Sequence, residues 1–244
     1  MAKVKEVINL INDFAPEETQ EKWDNSGWQI NLGIEECSKI MTAVTVTNDV
    51  IRQAKEKKCD LIIAHHPLIF EPLKVIEKGI ITEAVKNDIQ IYSAHTNLDL
   101  AKGGTTDTLS EKCGFGRCES VNGFVNYKKL DKPMEVDFLA KDIKKRLNTD
   151  CIQIINPKKK KKIKSVAFCA GAGGFELNKV QELGIELFVT GEVKFHECFD
   201  AKDTVVFAVG HYESEQFAGE IFKKILGNIC EIVEADEKRP YSYN

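Results

Sequence analysis

Residues 60–67 read Asp60-Leu61-Ile62-Ile63-Ala64-His65-His66-Pro67. A short apolar run with no polar interruption predicts a strand buried on both faces, the kind that parallel sheets contain. Two histidines stand at its carboxyl end, and Pro67 disfavours helical geometry at His66. In open α/β sheets, ligands bind outside the carboxyl ends of the strands. The stretch therefore points to a fold class and to a place where chemistry would sit.

Outward from it, the same pattern repeats. Short apolar runs near 40–46, 60–64, 89–93, 163–169, 186–190 and 204–209 predict strands. Amphipathic stretches near 2–14, 49–58, 79–87, 105–113, 134–147, 174–183 and 213–226 predict helices. This alternation is that of βα units. The two halves also parallel each other. Ile40 to Thr47, a helix, DLIIA and IYSAHTNLD correspond to Ile163 to Ala170, a helix, ELFVT and FAVGHYESE. Each series ends in a strand, a small residue, a histidine and an acid four places later: His95 with Asp99, His211 with Glu215. The expected fold is α/β, with two related three-layer α/β/α lobes, 1–120 and 121–244, a duplication behind the likeness, and a metal site between them.

Composition narrows the function classes. The 244 residues are 43% apolar and 30% charged, ordinary for a globular protein with a proper core. A net charge of −4 supplies no overall field for nucleic acid or an anionic membrane. The run Lys158 to Lys162 reads as a solvated loop tip, because like charges avoid packing. Val4, Val7, Ile8 and Ile11 lie at helical spacing among polar residues, which predicts a core-packing helix rather than a signal peptide. No segment approaches the roughly 20 apolar residues that span a bilayer. Eight cysteines are scattered without a CxxC pair and read as reduced thiols, so the expected compartment is the cytoplasm.

The chain has five histidines: His65, His66, His95, His196 and His211. All but His196 follow predicted strands. One histidine beyond a strand usually caps a hydrogen bond or faces solvent. An adjacent pair, joined by two more with acids four residues on, is instead a metal-ligand pattern. Imidazole and carboxylate together suit zinc, iron, manganese, cobalt or nickel. His211 and Glu215, at i and i+4, share a face if a helix starts there. His65 and His66, being adjacent, diverge, which suits two ions better than one, and a carboxylate such as Glu215 can bridge them. Two divalent ions generate hydroxide near neutral pH and stabilise negative charge, a common hydrolase design. A binding site without turnover would use the same residues. Neither GxGxxG nor GxxxxGK[ST] occurs, and the glycine-rich turn at 171–174 is too short to stand for a nucleotide fingerprint.

With HHPLIF at 65–70, AHTNLD at 94–99, VTGEVKFHE at 189–197 and GHYESE at 210–215 assembled, the chain resembles the GTP cyclohydrolase I type 2 homologs, the NGG-interacting factor 3-like family. WDNSGWQ at 23–29, Gly104 with Asp107, and Gly171-Ala172-Gly173-Gly174 extend the likeness over nearly the whole chain. The resemblance implies one divalent ion on His66, Asp99 and Glu215, and a second on His65, His211 and the bridging Glu215. It makes His95 and His196 the candidate catalytic residues, orienting ligands, touching substrate or shuttling protons. It implies a metal-dependent hydrolase whose small-molecule substrate is a nucleotide, GTP, opened at its imidazole ring with release of formate. It also implies a homohexamer. The alternative is a metal-handling or regulatory protein without turnover. Two positions depart from the family pattern: Thr45 where an aspartate is common, and Thr106 where an asparagine is. Residues 23–28 read as a turn whose two tryptophans are expected to close the core.

Overall fold

Each predicted strand forms in the computed structural model, which describes residues 1–121 and 123–242, although the one expected over 40–46 ends at Ala43. Strands run along the chain as β1 (Ala2–Lys3), β2 (Gly27–Ile30), β3 (Glu36–Cys37), β4 (Lys39–Ala43), β5 (Leu61–Ala64), β6 (Gln90–Ser93) and β7 (Glu119–Ser120). They continue as β8 (Asn126–Glu135), β9 (Gln153–Ile155), β10 (Lys162–Cys169), β11 (Leu187–Thr190), β12 (Val205–Ala208) and β13 (Glu231–Glu234). The helices are α1 (Val4–Phe14), α2 (Asn48–Lys57), α3 (Ile80–Lys86), α4 (Thr96–Leu100) and α5 (Thr105–Lys112). After them come α6 (Val136–Arg146), α7 (Leu177–Glu182), α8 (His211–Glu215) and α9 (Ala218–Leu226).

The chain folds as two α/β units. One comprises Met1–Gly104 and Phe217–Lys238; the other comprises Thr105–Gln216 and the residues from Arg239 on. In the first, the sheet order is β13-β4-β5-β6-β2, with β13, β4, β5 and β6 parallel and β2 antiparallel to β6. In the second, the order is β7-β8-β10-β11-β12-β9, with β10, β11 and β12 parallel and both flanks antiparallel. Three consecutive parallel strands thus form the middle of each sheet, matching the repeat read between the halves.

Burial explains why these segments hold. Leu61, Ile62, Ile63 and Ala64 are wholly buried, as a strand covered on both faces requires. Helix α1 buries Val4, Val7 and Ile11 along one stripe. Each such side chain removed from water contributes about 1.5–3 kcal/mol. Helix α2 starts where the Thr47 hydroxyl accepts from the Val50 amide at 3.2 Å. It ends at Lys58, whose φ of 57° breaks the helical run.

Four strands of three residues or more were not expected: β2, β8, β9 and β13. They lie at or beside sheet edges, where side chains meet water and the apolar signal fades. The helix expected over 213–226 is two helices, α8 and α9, parted at Gln216 and Phe217. The lysine run forms an exposed turn leading into β10, where Lys162 pairs with Glu135 at 3.2 Å. All eight cysteines are unbridged thiols, and Cys37, Cys59, Cys113 and Cys169 are buried. Among the described residues, no helix is long and apolar enough to cross a membrane.

Candidate metal centre

In the first unit, β5 and β6 run parallel with Ala64 opposite Ser93. Their continuations therefore deliver His65, His66 and His95 side by side. One ring nitrogen of each lies within 4.8 Å of the others, and the ring centroids are 4.9–5.5 Å apart. His65 is fully buried, and its Nδ1 stands 3.0 Å from the carbonyl oxygen of Ala94. A carbonyl only accepts, so Nδ1 donates in this bond and the buried Nε2 is the nitrogen that can serve as a ligand. Facing Nε2 at 3.6 Å is Oδ1 of Asp99, one turn into α4. Together with a carboxylate oxygen of Glu215, these two atoms form a group that could hold a metal ion. Asp99 thus sits against His65, whereas the resemblance grouped it with His66.

His66 is oriented by Thr45, whose hydroxyl lies 2.7 Å from Nδ1. The departure from the family pattern therefore falls on the residue that steers a candidate ligand. The backbone ahead of Thr45 is itself fixed, because the Val44 and Thr45 amides donate to the Glu237 carboxylate at 2.6 and 2.9 Å. Burial raises the Glu237 pKa, and these two donors offset part of that rise.

His95 is held by Asp24, a residue the sequence offered only as part of a turn. Asp24 Oδ1 accepts from His95 Nδ1 at 2.7 Å, and Oδ2 accepts from the Thr96 amide and hydroxyl at 3.0 and 2.5 Å. Burial alone would raise the Asp24 pKa; the hydrogen bonds from His95 and Thr96 and the imidazole charge outweigh it and hold the carboxyl far below its usual range. An ionised Asp24 accepts only, so His95 Nδ1 donates to it and Nε2 faces away from this bond. Ser26 reinforces the loop, accepting from the His95 amide at 3.0 Å and donating to Asn97 at 2.8 Å.

The tryptophans divide. Trp28 lies edge-on to the buried Tyr92 at 5.5 Å, as core packing requires. Trp23 does not close the core: it is 58% exposed, because the turn that seats Asp24 beside His95 carries the preceding side chain outward.

In the second unit, β11 and β12 end together with Thr190 opposite Ala208. The Gly210 amide continues the pairing by donating to Gly191 O at 3.0 Å, which places His211 beside Glu192. His211 Nδ1 is 3.3 Å from Glu192 Oε1, and its Nε2 is 3.0 Å from Oε2 of Glu215. Glu215 is buried, one turn along α8 as the i, i+4 spacing predicts. The glycine turn at 171–174 braces this helix. Gly171, at φ +65°, donates its amide to Ser214 Oγ at 2.9 Å, and a Cβ there would run into the Glu215 carboxylate. Thr106 helps hold the turn by accepting from the Ala170 amide at 3.2 Å. Between the two ligand positions on α8, Glu213 is buried and accepts from Arg239 at 3.1 Å and Tyr241 at 2.7 Å.

Beside His211 opens a cavity of about 550 Å³, whose walls include Phe175, Glu192, Lys194 and Tyr241. That volume suits a small organic ligand. His196 does not line it. It is exposed, it flanks a smaller hollow with Glu197 and Asp200, and it joins none of the metal-holding groups among the described residues.

Known proteins resemble the chain along its full length. Residues 2–239 match the family described as Duf34/NIF3 (NGG1p interacting factor 3). A Clostridium perfringens protein named GTP cyclohydrolase 1 type 2 homolog is 30% identical over 261 aligned positions, covering 99% of each chain. A Helicobacter pylori protein named GTP cyclohydrolase 1 type 2 is 31% identical, covering 93% of this chain and 92% of its own. Among solved structures, a Staphylococcus aureus hypothetical protein superposes with a TM-score of 0.92 at 25% identity, covering 100% of this chain and 99% of its own. Matching over this length at this identity, the chain belongs to the Duf34/NIF3 (NGG1p interacting factor 3) family.

Proposed function

We propose that the protein is a divalent-metal-dependent hydrolase that opens the imidazole ring of a guanine nucleotide and releases formate. The observation that carries this reading is the donor set. His65 Nε2 and Asp99 Oδ1 converge in one unit, and His211 Nε2 and the buried Glu215 carboxylate meet in the other. These groups fit a zinc- or iron-class ion by chemistry, since neutral imidazoles and carboxylates are that class's ligands. In the proposal the residues that would hold the metal are His65, His66, Asp99, His211 and Glu215. The name of the Helicobacter pylori relative supplies the reaction.

When bound, two such ions would lower the pKa of a water and offset developing negative charge. This chain's own groups do the rest. Ala94 O and Thr45 hold the His65 and His66 rings in place, as outer hydrogen bonds to metal ligands do. His95, its Nδ1 proton engaged by Asp24, presents Nε2 to carry a proton to the ring nitrogen that leaves C8. His95 takes this role rather than His196, because His95 stands among the candidate ligands. The cavity beside His211 gives a small substrate room at that ligand. The cysteine thiols suit a cytoplasmic setting.

Formate release from GTP by the metal-loaded protein tests the proposal. Release should be catalytic and should vanish in the His65→Ala, Glu215→Ala double variant. Activity that survives both substitutions, or bound metal with no formate from the unaltered protein, overturns it; the latter result supports a metal-handling role.

A further inference from the structure

Two large aromatic rings stand in the open beside the histidine cluster. Trp23 is 58% exposed and Phe70 is 52% exposed. Their centroids are 5.9 Å apart with planes tilted by 47°, and they lie 6.2 and 6.3 Å from the His95 ring, each edge-on to it. Neither sits on a loose loop. Asn25 Nδ2 donates to Ile69 O at 2.5 Å, and the Ile69 amide donates to Gln29 Oε1 at 2.9 Å. These two bonds tie the segment after Trp23 to the segment before Phe70. Asp24, next to Trp23, is anchored on His95 and Thr96. The chain thus spends a network of polar contacts on holding exposed apolar faces at one position, and water gains nothing from that arrangement.

We infer that Trp23, backed by Phe70, is a stacking platform for the planar base of the substrate, and that it sets the base beside His95. The inference rests on the guanine-nucleotide reading for the identity of the ligand. The two rings already touch, so the base lies on the outer face of Trp23 rather than between them. An exposed indole is the strongest stacking surface among side chains and accepts any flat heteroaromatic ring. A ring resting there would have its edge near His95, where the proposed proton transfer takes place. The polar parts of the nucleotide would contribute nothing to this contact.

The chain has two tryptophans, Trp23 and Trp28, so a Trp28→Phe protein reports on Trp23 alone. In that metal-loaded protein, GTP and guanosine should both quench the indole fluorescence saturably, and inorganic triphosphate should not. The metal-loaded Trp23→Ala protein, which keeps Trp28, should show no quenching. By calorimetry, Trp23→Ala and Phe70→Ala should weaken GTP binding on the order of tenfold, the size of one base–aromatic stack, with metal content unchanged. Trp23→Phe should recover most of the affinity. Guanosine that fails to quench, GTP that fails to bind, or affinity unchanged by Trp23→Ala overturns the inference. So does a Trp23→Ala protein whose mass in solution falls while affinity holds, since the rings would then belong to a contact with a second copy. Quenching without formate release would sink the hydrolase reading and leave the stacking platform standing.

Discussion

A histidine becomes a ligand or a proton carrier through the atom that holds its other nitrogen. Here those holders are Ala94 O for His65, Thr45 for His66 and Asp24 for His95. The histidines were legible because each follows an apolar run; their holders were not. Asp24 lies 71 positions from His95, and nothing in a turn-forming Trp-Asp-Asn-Ser-Gly stretch says which side chain it will meet. Asp24→Asn tests the arrangement. Asparagine keeps the size but puts an NH2 group where one oxygen accepted, so either the His95 bond or the Thr96 bonds are lost. Metal content should hold while activity falls by roughly 10- to 100-fold, the usual effect of removing such a partner. Stability should fall too, by about 1.5–3 kcal/mol at pH 7, since the bonds lost run to a charged group. The sign with pH follows from the depressed Asp24 pKa. Its contribution is fully present above the ordinary carboxylate value of about 3.9 and is lost as the pH falls from there towards the lower folded-state value. Urea midpoints measured from pH 7 to pH 3 should therefore converge for the two proteins. A gap that is constant with pH would show that Asp24 acts through packing alone.

At the scale of elements, the parallel strands were legible and the edges were not. Leu61–Ala64, Leu187–Thr190 and Val205–Ala208 are buried on both faces, and a continuous apolar run records that directly. Strand β8, with Lys128, Lys129, Asp131, Lys132 and Pro133, carries no such record, and its ladder to β10 breaks between Met134 and Lys129. The glycine turn after β10 was equally opaque: it was weighed as a nucleotide loop, yet it serves as the seat of α8. Gly171→Ala should therefore damage the site without touching a ligand. The added methyl group meets the Glu215 carboxylate, and φ +65° is unfavourable for any residue with a Cβ. The expected outcome is a loss of about 1–3 kcal/mol in stability and loss of tight metal binding, read by thermal melts and by elemental analysis after dialysis. Gly184, also at positive φ but with nothing within 4 Å of an added Cβ, is the control: Gly184→Ala should show the backbone penalty and keep its metal. Equal metal content in the two variants would refute the role given to the turn.

For the whole molecule, the proposed ligand set draws on both units: His65, His66 and Asp99 belong to one, and His211 and Glu215 to the other. The repeat in the sequence suggested two lobes, 1–120 and 121–244, but residues 105–120 belong to the second unit and 217–238 to the first. The return of the chain to the first sheet was not readable, because β13 has only two apolar residues, Ile232 and Val233, with which to announce itself. Shared ions would make the stability of one unit depend on ligands in the other. An ion at 100 times its Kd adds about 2.7 kcal/mol to whatever folded state binds it. In the metal-loaded protein, amide exchange at β5 and β6 and at β11 and β12 should slow together relative to the chelated protein. The informative variant is His65→Ala. It removes a ligand from the first unit, and if the ions are shared it should abolish metal-dependent protection at β11 and β12 as well as at β5 and β6. Protection that persists at β11 and β12 in that variant would mean that His211 and Glu215 hold an ion of their own, and the shared arrangement would have to be given up.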